Sequence, residues 1–179
     1  MSLSNDVRDL VCHSCFQGSS APASAWRDYE LCLDGRGVVL IRILIVDDCV
    51  SWRREVISLL EREPEFQIIG EASDGLEAVR KSAELQPDLT LLDVGLPKFN
   101  GVEAARKILQ NSPESKIVFV TGNSSPELVH ELLNLGAKAY IRKVDAVSDL
   151  VPAIKLVFAG ERFISGSVAV PTSPRAPGS

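Results

Sequence analysis

Two stretches decide the fold: RILIVDD at residues 42–48 and LTLLDVGLPKFNG at residues 89–101. In each, a short apolar run leads straight into a carboxylate, Asp47–Asp48 in the first and Asp93 in the second. Working outward, the apolar runs are Ile41–Val46, Phe66–Ala72, Leu89–Leu92, Ile117–Val120 and Ala139–Ile141. Several are continuous rather than alternating, as strands buried on both faces of a parallel sheet must be.

Each run is followed by a segment with helical spacing. The apolar positions are Trp52, Val56, Leu59 and Leu60, then Leu76, Val79 and Ala83, then Val102, Ala105, Ile108 and Leu109. The fourth has Leu128, Val129, Leu132 and Leu133, and the fifth has Val147, Leu150, Val151, Ile154, Val157 and Phe158 on one stripe. Punctuation agrees with this division. Asp74 with Glu77, and Asn100 with Glu103, have capping-box spacing. Ser125 before Pro126 is an N-cap followed by proline at the first helical position, and Gly136 falls where the fourth helix must end. Strand–helix units in such a series predict an α/β fold: a three-layer, five-stranded parallel sheet with helices on both faces.

Composition sets the outer limits. The chain has 179 residues, of which 45% are hydrophobic and 24% charged, enough apolar material for a sizeable core. The net charge of −5 argues against a dedicated nucleic-acid binder. No run of ~18 apolar residues exists, so no membrane span is expected. The start has no cationic region followed by an apolar stretch, so it does not read as a secretory signal and a cytoplasmic location is expected. Four cysteines are too few for a disulfide scaffold. The expected division is an N-terminal extension over 1–40, poor in periodic pattern, a domain over 41–164, and a disordered Pro/Ser tail over 165–179.

In a sheet of this kind, ligands bind beyond the carboxyl ends of the strands. Asp47 and Asp48 stand after the first strand, Asp93 after the third, Thr121–Gly122 after the fourth and Lys143 after the fifth. Close carboxylates repel one another and call for a cation. Mg²⁺ suits them, being held by one or two carboxylates together with waters and phosphate oxygens. A carboxylate so placed can attack a phosphoryl group and become an aspartyl phosphate, with the lysine and the hydroxyl meeting the added oxygens.

The stretches ILIVDD, LLDVGLPKFNG, VFVTG and GAKAYIRK resemble the receiver domain of bacterial two-component response regulators, in the style of CheY-like proteins and closest to LuxR/NarL-type receivers. The resemblance spans residues about 41–160 and implies a flavodoxin-like sheet of order 2-1-3-4-5. It implies Asp93 as phosphoacceptor, and Asp48, Asp93 and the backbone carbonyl of Gly95 on Mg²⁺, with Asp47 acting through water. Thr121 and Tyr140 match the family's switch pair, and Lys143 its phosphate-contacting lysine. The partner so implied is a sensor histidine kinase or phosphotransfer protein, with a homodimer through the fourth helix, fifth strand and fifth helix left open. Val144 stands where the family often has Pro, and Gly122 where Ala is common.

Four other readings compete with this one. A phosphatase would place its nucleophile after the first strand with a second acid two residues later, and a flavodoxin needs a phosphate loop that Asp47–Asp48 would repel. No G-x-x-x-x-G-K-[ST] loop is present. A pseudo-receiver acting as a phosphorylation-independent interaction module is the alternative, and the intact key residues count against it. No enzymatic activity is expected beyond self-phosphorylation and autodephosphorylation. No DNA binding is expected either, because residues 160–179 cannot form a helix-turn-helix. Cys12, His13 and Cys15, with Cys32, have ligand-like spacing but lack a second pair. Trp52 reads as core.

Overall fold

Side chains along a strand alternate between the two faces of its sheet, and in this molecule both faces are buried. Ile43 and Ile45 pack in one apolar cluster, whereas Leu44 and Val46 pack in another, and all four are 0–1% exposed. This is why the decisive strand reads as an unbroken apolar run. The computed structural model describes residues 40–122 and 125–166. In chain order these form β1 (Ile41–Val46), α1 (Val50–Leu60), β2 (Phe66–Ala72), α2 (Gly75–Leu85), β3 (Leu89–Leu92) and α3 (Gly101–Asn111). Then come β4 (Lys116–Thr121), α4 (Pro126–Leu135), β5 (Ala139–Arg142), a 3-10 turn (Lys143–Asp145), α5 (Ala146–Phe158) and β6 (Phe163–Ile164).

The sheet is parallel throughout, in the order β2-β1-β3-β4-β5-β6. Helices α1 and α5 pack on one face through Val56, Leu60, Leu150, Ile154 and Val157. Helices α2, α3 and α4 cover the other through Ala78, Ala104, Ile108, Val129 and Leu132. The expected three-layer α/β architecture and the order 2-1-3-4-5 are therefore present, with one correction. The sheet has six strands rather than five, because Phe163 and Ile164 pair with Ala139 and Tyr140 at the β5 edge. Two residues carry no readable periodicity, so this strand is invisible to pattern. Ser165, assigned by sequence to the tail, is 1% exposed and donates its N–H to Tyr140 O at 2.8 Å. Residues 1–39 of the expected 1–40 extension, its cysteines, and residues 167–179 of the tail lie outside the described residues.

The helix starts follow the sequence signals. Asp74, Asn100 and Ser125 each accept a backbone N–H three residues on, from Glu77, Glu103 and Leu128 respectively. Gly136 closes α4 at φ 114°, a left-handed conformation that favours glycine. At α2 the capping is shifted by one residue: the Glu77 carboxylate accepts from the N–H of Ser73, at 2.8 Å, instead of from Asp74. The α5 stripe also starts differently from the expectation. Ala146 is buried there while Val147 is 83% exposed.

Two helices begin on a glycine for a steric reason. A Cβ on Gly75 would stand 2.0 Å from Phe99 O, and one on Gly101 would stand 2.0 Å from Asp93 O. Gly122, in contrast, has nothing within 4 Å of such a Cβ. Gly101→Ala is therefore expected to lower the unfolding free energy by about 1–3 kcal/mol, as overpacking does. Gly122→Ala should stay within about 0.5 kcal/mol of the parent. Urea unfolding of both variants checks the contrast.

The start of α2 also carries a pH signature. Hydrogen bonding to Lys81, then to Ser73, holds the Glu77 carboxyl down at about 2, against an ordinary 4.5. Because the folded value is depressed, the stabilisation is complete above pH 4.5 and is lost as the pH falls toward 2. Glu77 is partly solvated, so Glu77→Gln should cost only about 0.5–1 kcal/mol at neutral pH. In thermal melts the gap between parent and variant should close on acidification through that window.

Candidate functional site

The carboxyl ends of the central strands are fixed by backbone bonds before any side chain acts. Asp47 donates its N–H to Ala72 O at 3.1 Å, and Asp93 donates to Val46 O at 3.0 Å. β1 is the neighbour of β3, so residues 46 apart in sequence become neighbours at one sheet edge. Lys143 enters the same space from the far side of β4, directly after β5.

There the Lys143 ammonium bridges two acids. It donates to Asp93 Oδ2 at 2.7 Å and lies 2.5 Å from Asp47 Oδ2. The second contact is a close ion pair, and Asp47 Oδ2 is a buried oxygen with no partner beyond that shared ammonium. Its other oxygen accepts the Cys49 N–H at 2.9 Å. Asp47 is 0% exposed and Asp93 7%, while Asp48 stands exposed at the rim. Carboxylate oxygens of all three lie within 4.8 Å of one another.

Charge balance at this edge is unfavourable without a further cation. Burial pushes the Asp47 carboxyl above its ordinary range, and the nearby Asp93 adds to that, against the opposing pull of Lys143 and the Cys49 N–H. Burial pulls Lys143 down, yet bonds to Asp47 and Asp93 outweigh it and hold the amine above the ordinary lysine value. The ammonium therefore stays charged, and Asp47 is left under-compensated because its counter-ion is shared. A hard divalent ion fits this donor set: three clustered carboxylates, one of them offering a buried oxygen whose partner, the Lys143 ammonium, is shared with Asp93.

The remaining expected residues fall around this cluster. Gly95 follows Asp93 and donates its N–H to Asp93 Oδ1 at 3.2 Å. Thr121 ends β4 and is 3% exposed, paired in register with Arg142. Tyr140 is on β5 and 0% exposed, with burial raising its phenol above the ordinary value. The resemblance implies for Tyr140 only that it forms a switch pair with Thr121. In the structure the ring lies inside, packed in the cluster that contains Phe119 and Leu132, with Ile164 of β6 against it.

Several contributors carried no sequence signal. Lys98 takes up φ 64° in the loop after β3 and pairs with Asp74 at 2.7 Å, tying that loop to the start of α2. Arg53 donates to Asp47 O at 2.6 Å and to Glu71 at 2.8 Å, holding the first turn of α1. Trp52, expected as core, does pack against the α1–α5 cluster, but its ring also lies 4.9 Å from Lys143 Nζ. Cys49 is an exposed free thiol at the N-cap of α1.

A flavodoxin-like sheet with three acids and a lysine at its carboxyl edge defines a receiver-type domain. The chain matches the response regulator receiver domain over residues 43–155 and belongs to that family. It is 39% identical over 130 residues to the response regulator GacA of Pseudomonas viridiflava, covering 73% of this chain and 61% of that protein. It is 33% identical to the transcriptional regulatory protein LiaR of Bacillus subtilis, covering 73% and 62%. The chain thus spans about three fifths of the length of these relatives. Among solved structures it resembles a LuxR-family two-component response regulator from Aurantimonas sp., with 33% identity, TM-score 0.69, and 73% and 93% coverage. It also resembles a chain of the CheX-CheY complex with BeF3 and Mg from Borrelia burgdorferi, with 28% identity, TM-score 0.64, and 69% and 92% coverage.

The shared ammonium gives a direct test of the charge argument. Lys143→Met removes the cation that touches Asp47 and Asp93 and should cost about 2–4 kcal/mol of stability. Millimolar MgCl₂ should recover part of that loss by restoring positive charge. Thermal unfolding with and without the salt measures both effects.

Proposed function

We propose that this chain is a phosphoacceptor switch of a two-component phosphorelay, and that Asp93 is the residue phosphorylated. The observation that carries the reading is the Lys143 ammonium bridging Asp93 Oδ2 and the buried, under-compensated Asp47. The donor is a phosphohistidine on a sensor histidine kinase or phosphotransfer protein. The Asp93 carboxylate attacks phosphorus, the phosphorus–nitrogen bond breaks, and the imidazole leaves with its electron pair. Asp48, Asp93 and the Gly95 carbonyl would hold Mg²⁺, with Asp47 acting through water. When bound, the ion neutralises phosphoryl oxygens so that two anions can meet.

The chain's own residues do the rest. Lys143 supplies a fixed positive charge and N–H donors to the transferred group. Thr121, at the end of β4, is placed to give it a hydroxyl. The added group carries roughly −1.5 to −2 charge units, which must find new partners and so reorders the loops around it. The readout passes through the α4–β5–α5 face to a protein partner, which includes a second copy of this chain as a candidate. Turnover is limited to self-phosphorylation and autodephosphorylation.

Two further assignments belong to this proposal. The first is action in the cytoplasm; among the described residues no helix is long and apolar enough to cross a membrane. The second is output through protein contact rather than DNA, and what supports it is the net charge of −5, which opposes association with a polyanion.

With Mg²⁺ and acetyl phosphate, intact-mass spectrometry should find one phosphoryl group on the parent and none on Asp93→Ala. Asp48→Ala should demand a higher Mg²⁺ concentration for the same labelling. Equal labelling of parent and Asp93→Ala would overturn the assignment. Full labelling without any divalent ion would overturn the role given to the metal.

A further inference from the structure

A lysine ammonium has three N–H donors and no acceptor. Two directions at Lys143 are accounted for by Asp47 and Asp93. Another part of its surroundings is the ring of Trp52, 4.9 Å from Nζ to the ring centroid, within the range of cation–π attraction. Trp52 cannot drift from this place. Arg53 pins the first turn of α1 through Asp47 O and Glu71, and the indole is packed against the α1–α5 core.

We propose that Trp52 is a positioning residue for Lys143 during phosphoryl transfer to Asp93. The inference rests on the phosphoacceptor reading given above. An apolar stripe at this point of α1 needs only bulk, which Leu would supply. Indole adds a negative π face, and it faces a half-buried ammonium that has lost most of its water. The advantage over a third hydrogen-bond acceptor is directional tolerance. When Asp93 gains its phosphoryl group, Lys143 must leave Asp93 Oδ2 for a phosphoryl oxygen. Hydrogen bonds weaken steeply off axis, whereas the π face attracts the charge over a range of positions. Trp52 therefore keeps Lys143 at the site while its other partners change.

The test compares two substitutions and one signal in the parent protein. Trp52→Leu keeps bulk and removes the π face, and should slow labelling by acetyl phosphate about fivefold. Trp52→Phe keeps a π face and should regain more than half of that loss. Thermal melts of both variants accompany the rates. In the parent, NMR should find the ε-methylene protons of Lys143 displaced upfield by the ring, and at the ordinary lysine position in Trp52→Leu. Equal rates in the parent and both variants, equal losses in both variants, or an undisplaced Lys143 signal in the parent would each overturn the proposal. If the parent itself takes no phosphoryl group, the phosphoacceptor reading fails, while the NMR arm still decides whether indole holds the ammonium.

Discussion

One ammonium shared between two buried acids is the constraint around which this molecule is arranged. Lys143 arrives from β5, Asp47 from β1 and Asp93 from β3, so the contact exists only when the central strands are in their proper order and register. A sheet assembled in another order would leave Asp47 buried with no cation, at a cost of several kcal/mol. The same contact is poor as a stabilising device, since one positive charge cannot satisfy two acids with a third at the rim. That surplus of negative charge is useful in a switch. Under the function proposed above, it would let the site take a cation and then a phosphoryl group, each of which would change the distribution of charge at the strand ends.

The backbone near Asp93 is held with unusual closeness for a loop. Gly101 begins α3 against the Asp93 carbonyl, Gly75 begins α2 against Phe99, and Lys98 reaches from the intervening loop to Asp74. The segment after β3 is thereby clamped between two helix starts. A rigid support on one side of the acid and an exposed, open Gly122 on the other leave the approach from solvent clear while fixing the acid itself. Pre-organisation of this kind reduces the reorganisation needed at the moment of reaction.

Much of this was legible in the residues. Buried parallel strands leave continuous apolar runs, and the acids at their ends follow without interruption, so Asp47, Asp48, Asp93, Thr121 and Lys143 could be placed at one edge from spacing alone. The caps at Asp74, Asn100, Ser125 and Gly136 were equally plain because each is a local bond between near neighbours. What escaped depends on contacts between distant segments. β6 has two residues and no period, Val147 sits one position off a stripe that looked continuous, and the charge under the indole of Trp52 comes from a residue 91 positions later. Tyr140 pairs in register with Ile164 of that same unforeseen strand, and both belong with the cluster in which the ring is buried. The roles of the site residues are a separate matter from their positions, and rest on the chemistry proposed for them.

β6 has a consequence for how the domain behaves in a crowded solution. A parallel sheet ends on strands whose unpaired N–H and C=O groups invite another chain to add on, and β5 without a neighbour would offer such a row beside the apolar Tyr140. Two residues of β6 occupy the start of that row. Ser165 then fastens the segment to Asp145 at 2.8 Å and Asp149 at 2.6 Å, while Arg142 pairs with Asp145 at 2.6 Å. Among the described residues, the edge left exposed on this side is thus only two residues long and flanked by charge, a poor template for sheet extension. On the β5 side the domain is in this way kept from joining its neighbours through the backbone, so contacts there must be made by side chains, where partner choice can be specific.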